Sequence, residues 1–368
     1  MSTTLRYILI ALGIVIGILS VWYFINIVAY ILISAVLALI GRPLVDMFGR
    51  VHIRNVKIPK SIRALLSLLI IWGTVLIFFR IFIPLIVSEV NNLSALNPQK
   101  VLTALEVPIR SLENFIDKYE LGGEEKFTVQ DFLTKKAISI FNVSFLTNLF
   151  GSFAGVLGNI FIAFFSISFI TFFFLRDEHL FAEAILILVP DKQVNAFRRA
   201  MNSVRIMLMR YFIGILGQIT GIFTLVTLGL TLVGVGFGHS LLIGLIAALL
   251  NVIPYLGPLI GGSIGILLGI ATHIELDFYT GLIPLIFKMI GVFVAVQLTD
   301  NFLFQPLIFS NSVNAHPLEI FLVILIAGSL AGIPGMILAI PIYTVIRVFA
   351  REFFNNFKVV KKLTKNMR

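Results

Sequence analysis

Apolar residues run in long blocks along this chain, and polar residues gather between the blocks. After Arg6 no charged residue occurs until Arg42. That interval holds two short spans turning near Trp22-Tyr23-Phe24-Ile25-Asn26, or one long tilted helix. Gly41-Arg42-Pro43-Leu44 is expected to close it. Further apolar blocks cover Ala64 to Ser88, Ala137 to Leu175, Tyr211 to Ile274, Phe278 to about Phe309, and Leu318 to Ile346. An apolar helix of about 20 residues crosses a hydrocarbon core of about 30 Å, whereas barrel strands would alternate over roughly ten residues. No such alternation occurs. The pattern predicts an all-α, polytopic membrane protein of about eight transmembrane helices. The leading block lacks a small-residue cleavage site and is expected to be retained.

Two later blocks are interrupted. Tyr211 to Ile274 contains no Lys, Arg, Asp or Glu, yet its middle reads Asn251-Val-Ile-Pro254-Tyr255-Leu-Gly257-Pro258. Leu318 to Ile346 is expected to break at Gly332-Ile-Pro334-Gly335 and again at Pro341. Proline lacks a backbone donor and crowds the carbonyl four residues back. In hydrocarbon, irregular backbone survives only where protein or trapped water satisfies it, so each break implies an interior. Broken helices in transporters hold substrate and ions. His239 to Ile253 is 15 residues, about 22 Å of helix against about 30 Å of bilayer core. Each interrupted segment therefore reads as a bent span or as a re-entrant hairpin, and the sequence leaves both open.

Charge assigns the sides. Arg42 to Arg63 has six basic residues against Asp46; 176–210 has six against four acids; 347–368 has seven against Glu352. By the positive-inside rule these are cytoplasmic. Glu89 to Lys136 has eight acids and six bases, a net of −2, and is placed outside. Its apolar positions Val101, Leu105, Ile109, Leu112, Ile116 and Tyr119 recur at helical spacing; Gly122-Gly123 ends that helix and Thr128 opens another. The organisation is then 1–88, N-terminal helices with the basic loop 42–63; 89–136, a small helical extracytoplasmic segment; 137–346, the core, with an interfacial helix over 191–210; and 347–368, a cytoplasmic tail.

Composition agrees. Of 368 residues 59% are hydrophobic and 12% charged, against about 25% charged in soluble domains. The net charge of +10 lies in loops, so it points to the lipid bilayer as partner and not to nucleic acid. There is no cysteine, and the five histidines are far apart in sequence without metal-ligand spacing. No phosphate-binding GxxxxGK[ST] loop occurs, and paired acids such as Asp177-Glu178 and Glu124-Glu125 lie in loops. No cofactor, metal or enzymatic activity is expected. A secondary transporter is favoured over a scaffold or sensor, whose mark would be a larger soluble domain.

Asp300 is the most informative charge, because a carboxylate within a span is costly and usually faces a cavity or partner. Gln297, Asn301 and Gln305 share a helical face beside it. Lys288 is too far along one straight helix to meet it. Asn251 and Tyr255 bracket Pro254, and with Gly257 and Pro258 they form the first break. Gly332, Pro334 and Gly335 form the second. These residues, with His316 before Pro317, are the candidate substrate or ion pathway; both breaks are expected to line one cavity. Gly261, Gly262, Gly265 and Gly269 offer a small-residue face for close helix packing.

Four motifs occur in order: NVIPYLGPLIGG from Asn251, Asp300-Asn301-Phe-Leu-Phe-Gln305-Pro306, Ala315-His316-Pro317-Leu318, and Ala331-Gly-Ile-Pro-Gly-Met336-Ile-Leu-Ala-Ile-Pro341. With Arg42-Pro43-Leu44-Val45, they resemble the autoinducer-2 exporter family. The resemblance covers nearly the whole chain. It implies a bacterial inner-membrane protein of about eight spans; one crossing per apolar segment, with the basic tail inside, puts both termini in the cytoplasm. It also implies export of a small polar molecule such as autoinducer-2, or sodium/proton antiport as in some members. The family name does not fix the substrate. A homo-oligomer is left open.

Overall fold

The computed structural model describes residues 23–50, 52–53, 56–94, 153–177, 189–312 and 316–354, with isolated positions before 23 and between 178 and 188. The helices expected over 101–119 and from Thr128, and the tail beyond 354, lie outside the described residues. Nine helices are described: α1 (Ile25–Arg50), α2 (Lys60–Ser94), α3 (Phe153–Arg176), α4 (Val194–Leu232), α5 (Phe237–Leu250), α6 (Leu256–Thr272), α7 (Ile283–Thr299), α8 (Gln305–Ser312) and α9 (Pro317–Phe354). The protein is a multi-pass, all-helical membrane protein. Among the described residues five stretches are long and apolar enough to cross a bilayer, and three shorter apolar helices accompany them. The sole sheet among the described residues pairs His52–Ile53 with Val56–Lys57, antiparallel.

Two compact units are distinguished, 1–76 with 153–205 and 77–152 with 206–368. In the first, Val45, Ala64, Leu68 and Leu175 form a core with Trp72 and Phe172 packed on it. The Ser34 hydroxyl donates to the Ile167 carbonyl at 3.1 Å, which fixes α1 against α3. Arg42-Pro43 does not close α1, which continues to Arg50. A Cβ at Gly41 would lie 2.8 Å from Ile71 and 3.2 Å from Leu175, so close packing holds the helix on both sides of the proline. Of the two readings of the leading block, continuous helix rather than a turn holds around Phe24 to Val28. The Phe24 N–H bonds the Ser20 carbonyl at 2.9 Å and the Val28 N–H bonds that of Phe24 at 3.0 Å, the i to i−4 pattern of an α-helix.

The second unit contains both interrupted segments, and each is a hairpin. Legs α5 and α6 have 14 and 17 residues, about 21 and 25 Å, too short to cross singly. They pack antiparallel: a Cβ at Gly261 would sit 3.0 Å from the Ala247 Cα, one at Gly265 would sit 2.8 Å from Ile243, and one at Gly257 would strike the Leu250 carbonyl. Small residues allow this approach where lipid removes most of the hydrophobic drive between helices. Pro258 breaks nothing, because it lies in the first turn of α6, where N–H groups have no helical partner.

Helix α9 folds back at Ala331 and Gly332, where Gly332 has φ +60° and ψ −146°. Its legs are 317–330 and 333–354. A Cβ at Gly335 would meet the Ala327 carbonyl, and the Tyr343 hydroxyl donates to Glu319 at 3.0 Å. Both pairs require antiparallel legs. Pro341 does not interrupt the second leg, since Ala339 and Ile340 are buried against Ile320 and Ile324 and packing outweighs one lost hydrogen bond.

Candidate functional site

The turn of the first hairpin carries unusual backbone. Tyr255 has φ 69° and ψ −50°, the one non-glycine with positive φ among the described residues. The Leu256 N–H bonds the Pro254 carbonyl at 2.8 Å across it. This is a γ-turn of the rare, strained kind. The other break groups are satisfied locally: Ile253 N–H to Leu250 carbonyl at 3.0 Å and Gly257 N–H to Ile253 carbonyl at 2.9 Å. Asn251 is 5% exposed, and its Nδ2 has no hydrogen-bond partner among the described residues. Buried amide donors are nearly always paired, so an orphan one calls for an acceptor.

Asp300 follows the last turn of α7. There five residues, Asp300–Phe304, form a single π turn closed by the Gln305 N–H on the Asp300 carbonyl. Such a widened turn recurs at functional sites. It brings Gln305 beneath two residues at once: Gln305 Nε2 donates to Asp300 Oδ2 at 2.9 Å and to Asn301 Oδ1 at 3.1 Å. Gln297 Nε2 donates to Asn301 Oδ1 at 2.8 Å. Asp300 itself is 1% exposed, and Gln218 Nε2 of α4 donates to its Oδ1 at 2.6 Å. Glycines on α4 permit this reach. A Cβ at Gly214 would lie 2.8 Å from Ile308, and one at Gly221 would strike Phe304. Among the described residues no cation pairs with Asp300; Lys288 is exposed.

The sequence-expected residues therefore divide. Gln297, Asp300, Asn301 and Gln305 form one hydrogen-bonded network. Asn251, Pro254, Tyr255, Gly257 and Pro258 form the neighbouring hairpin tip. Phe304 joins the two groups, since it packs against the cluster that holds Ile253 and Leu256. The tip also meets the second hairpin, Tyr255 lying edge-on to Phe321 with centroids 5.8 Å apart. That contact is near the start of α9, not its turn. Gly332 and Pro334 are exposed at a turn about 16 Å along the helix from Ile320. So the two breaks do not meet. Gly335 is buried as packing, and the His316 Nδ1 accepts the Leu318 N–H at 3.2 Å, capping α9. Gln218 was missed from sequence. Its signal was being the only glutamine in the uncharged window, among Gly214, Gly217 and Gly221.

The chain is similar in sequence to several known proteins. YueF of Bacillus subtilis (strain 168), provisionally named a transport protein, is 28% identical over 340 residues, 90% of this chain and 84% of its own length. YrrI of the same organism, provisionally named likewise, is 32% identical over 197 residues, about half of each chain. PerM of Escherichia coli (strain K12), provisionally named a permease, is 42% identical over 57 residues, 16% of each chain. The family model described as AI-2E family transporter matches residues 10–355. The chain belongs to the AI-2E family of membrane transporters.

Proposed function

We propose that the protein is a secondary transporter of the bacterial inner membrane, with both termini cytoplasmic. It carries a small, oxygen-rich polar molecule of the autoinducer-2 kind outward and couples this to protons or sodium at Asp300. The observation that carries the reading is the Asp300 carboxylate, 1% exposed inside a membrane helix and held by the neutral amides of Gln218 and Gln305. A buried carboxylate needs compensation. A fixed arginine would lock its charge. Amide donors instead bond its oxygens with or without a proton, which leaves the compensating positive charge free to be a mobile ion. The Asn251 amide at the adjoining tip supplies a donor suited to hydroxyl, carbonyl or carboxylate oxygens. Sodium/proton antiport is the second reading, favoured by the same uncompensated acid.

Purified protein in liposomes tests both. Asp300→Asn keeps the shape and removes the charge; it should abolish movement driven by a pH or sodium gradient while the protein stays folded. Gln218→Leu removes a bond to a charged group worth about 1.5–3 kcal/mol, so driven transport should fall about tenfold or more. Sodium-driven pH change without movement of any organic solute would assign antiport. Wild-type rates with unchanged pH and sodium dependence in Asp300→Asn would refute the coupling role.

A further inference from the structure

A second polar cluster lies at the open end of the first hairpin. Glu89, on the later part of α2, is 6% exposed. His239, in the first turn of α5, places Nδ1 3.0 Å from both Glu89 carboxylate oxygens. The His273 ring, just beyond α6, stands edge-on to the His239 ring with centroids 6.0 Å apart. His273 Nδ1 is 3.1 Å from the Gly269 carbonyl and 2.9 Å from the Thr272 hydroxyl. His239 thus links the buried carboxylate on α2 to the His273 ring at the end of α6.

The chemistry follows from what each atom can do. A carboxylate only accepts, so His239 Nδ1 carries hydrogen, and its Nε2 is the position left for a second proton. The Gly269 carbonyl only accepts and is served by hydrogen on His273 Nδ1, whereas the Thr272 hydroxyl can donate to or accept from that nitrogen. With both rings neutral, Glu89 is a buried negative charge with a hydrogen bond and no counter-charge. One proton on His239 Nε2 turns that bond into an ion pair. A second proton on His273 would set two cations 6.0 Å apart by ring centroid, which Coulomb repulsion opposes.

Among the described residues few other charges lie nearby. The window from Tyr211 to Ile274 carries no Lys, Arg, Asp or Glu, so the later part of α4 and both hairpin legs contribute no other charge. Beyond His273, Glu275 and Asp277 are exposed, and Arg80, the nearest charge on α2, is exposed nine residues earlier.

We propose that Glu89 and His239 form a proton-binding clasp, separate from Asp300, that fastens the end of α2 to the open end of the first hairpin when His239 is protonated. Imidazole is the side chain that changes charge between pH 5 and 8. Loss of the proton leaves Glu89 buried without a counter-charge, and the contact loosens so that the carboxylate reaches water. The clasp does not depend on what the protein transports.

The test uses the full chain in lipid vesicles. It has no native cysteine, so nitroxide labels on Val87→Cys and Leu276→Cys, both exposed positions, report this contact alone. The separation should shift to a shorter, narrower distribution as pH falls from about 8 to about 5. Glu89→Gln and His239→Gln each keep a hydrogen-bonding partner and remove the charge pair, so each should abolish the shift. If one variant does not fold, the other decides. A wild-type distribution that is the same at both pH values overturns the clasp, as does a full shift that persists in either variant.

Discussion

Glycine 257 provides the most demanding test of the first hairpin. A Cβ there would overlap the Leu250 carbonyl oxygen and lie 2.5 Å from the Leu250 carbonyl carbon and 2.7 Å from the Asn251 Cα. Carbon atoms in good contact stand about 3.5–4.0 Å apart, and these neighbours are backbone, which cannot rotate away. At Gly265 the nearest atoms, 2.6 Å to Phe293 and 2.8 Å to Ile243, are side-chain ends that can yield. At Gly262 the nearest is Phe293 at 3.8 Å, ordinary contact. Replacing glycine by alanine in a helix gains about 0.8–1.0 kcal/mol, and overpacking costs about 1–3 kcal/mol. Gly262→Ala is therefore expected to be neutral or stabilising, and Gly265→Ala to lose about 1 kcal/mol. Gly257→Ala has little propensity gain in the first turn of α6 and should lose about 3 kcal/mol or more. The fraction of protein that stays monodisperse in detergent after heating ranks the three. Equal heat resistance of Gly257→Ala and wild type would refute the close antiparallel packing of α5 and α6.

Two further outcomes are expected. At Tyr255 the left-handed backbone penalises any side chain by about 1–2 kcal/mol, so Tyr255→Gly should withstand more heat than Tyr255→Ala, the reverse of the order found in helices; equal midpoints would remove the strained γ-turn. Asp277 caps the turn at Phe278–Leu282, its carboxylate accepting from the Thr280 N–H at 2.8 Å and hydroxyl at 2.7 Å. These bonds hold its carboxyl below the usual carboxylate range. A lowered native pKa means the cap contributes fully above the unfolded value of about 3.9 and is lost as pH falls through the native one. Amide protection over 278–282 should drop in that acid window in wild type and stay flat in Asp277→Ala.

Much of this was legible in the sequence where a local rule had no competitor. An acid inside an apolar block is costly enough to announce itself, and Asp300 with Gln297, Asn301 and Gln305 was found that way. The 15 residues from His239 to Ile253 were too few to cross, which already admitted a hairpin. Proline proved a poor guide. Pro43 and Pro341 lie inside helices, Pro258 occupies a position with no bond to lose, and the second turn is made at Gly332 by a positive φ. Gln218 was hidden because its partner is 82 positions away, a pairing that only the packing of α4 on α7 creates. The histidines were hidden for a similar reason. His239 and His273 are far apart along the chain and adjacent in space, because α5 and α6 run back along each other.

The two hairpins also lie in opposite senses. The first opens at His239 and His273, beside Glu89, and its tip at Tyr255 touches Phe321. Phe321 stands four residues after Pro317, where the second hairpin begins, so the tip of one lies beside the open end of the other. The segment from Phe278 to Ser312 runs the same course, starting at the first hairpin's open end and reaching Asp300 near its tip, where Phe304 packs with Ile253 and Leu256. The Glu89–His239 pair and Asp300 thus lie toward the two ends of one hairpin, separated by the 17 residues of α6, about 25 Å. Between them α6 meets the α5 backbone at Gly257 and Gly261, while Gly265 meets the Ile243 side chain. A displacement at the Glu89 end passed along this helix pair would reach the tip, where Phe304 of the Asp300 π turn packs with Ile253 and Leu256. A distant protonation at His239 would then alter access to Asp300 without touching it. The labels at Val87 and Leu276, read together with driven transport across the same pH range, distinguish that linkage from two sites that act independently: in His239→Gln the pH dependence of the label separation and a matching part of that of transport should disappear together.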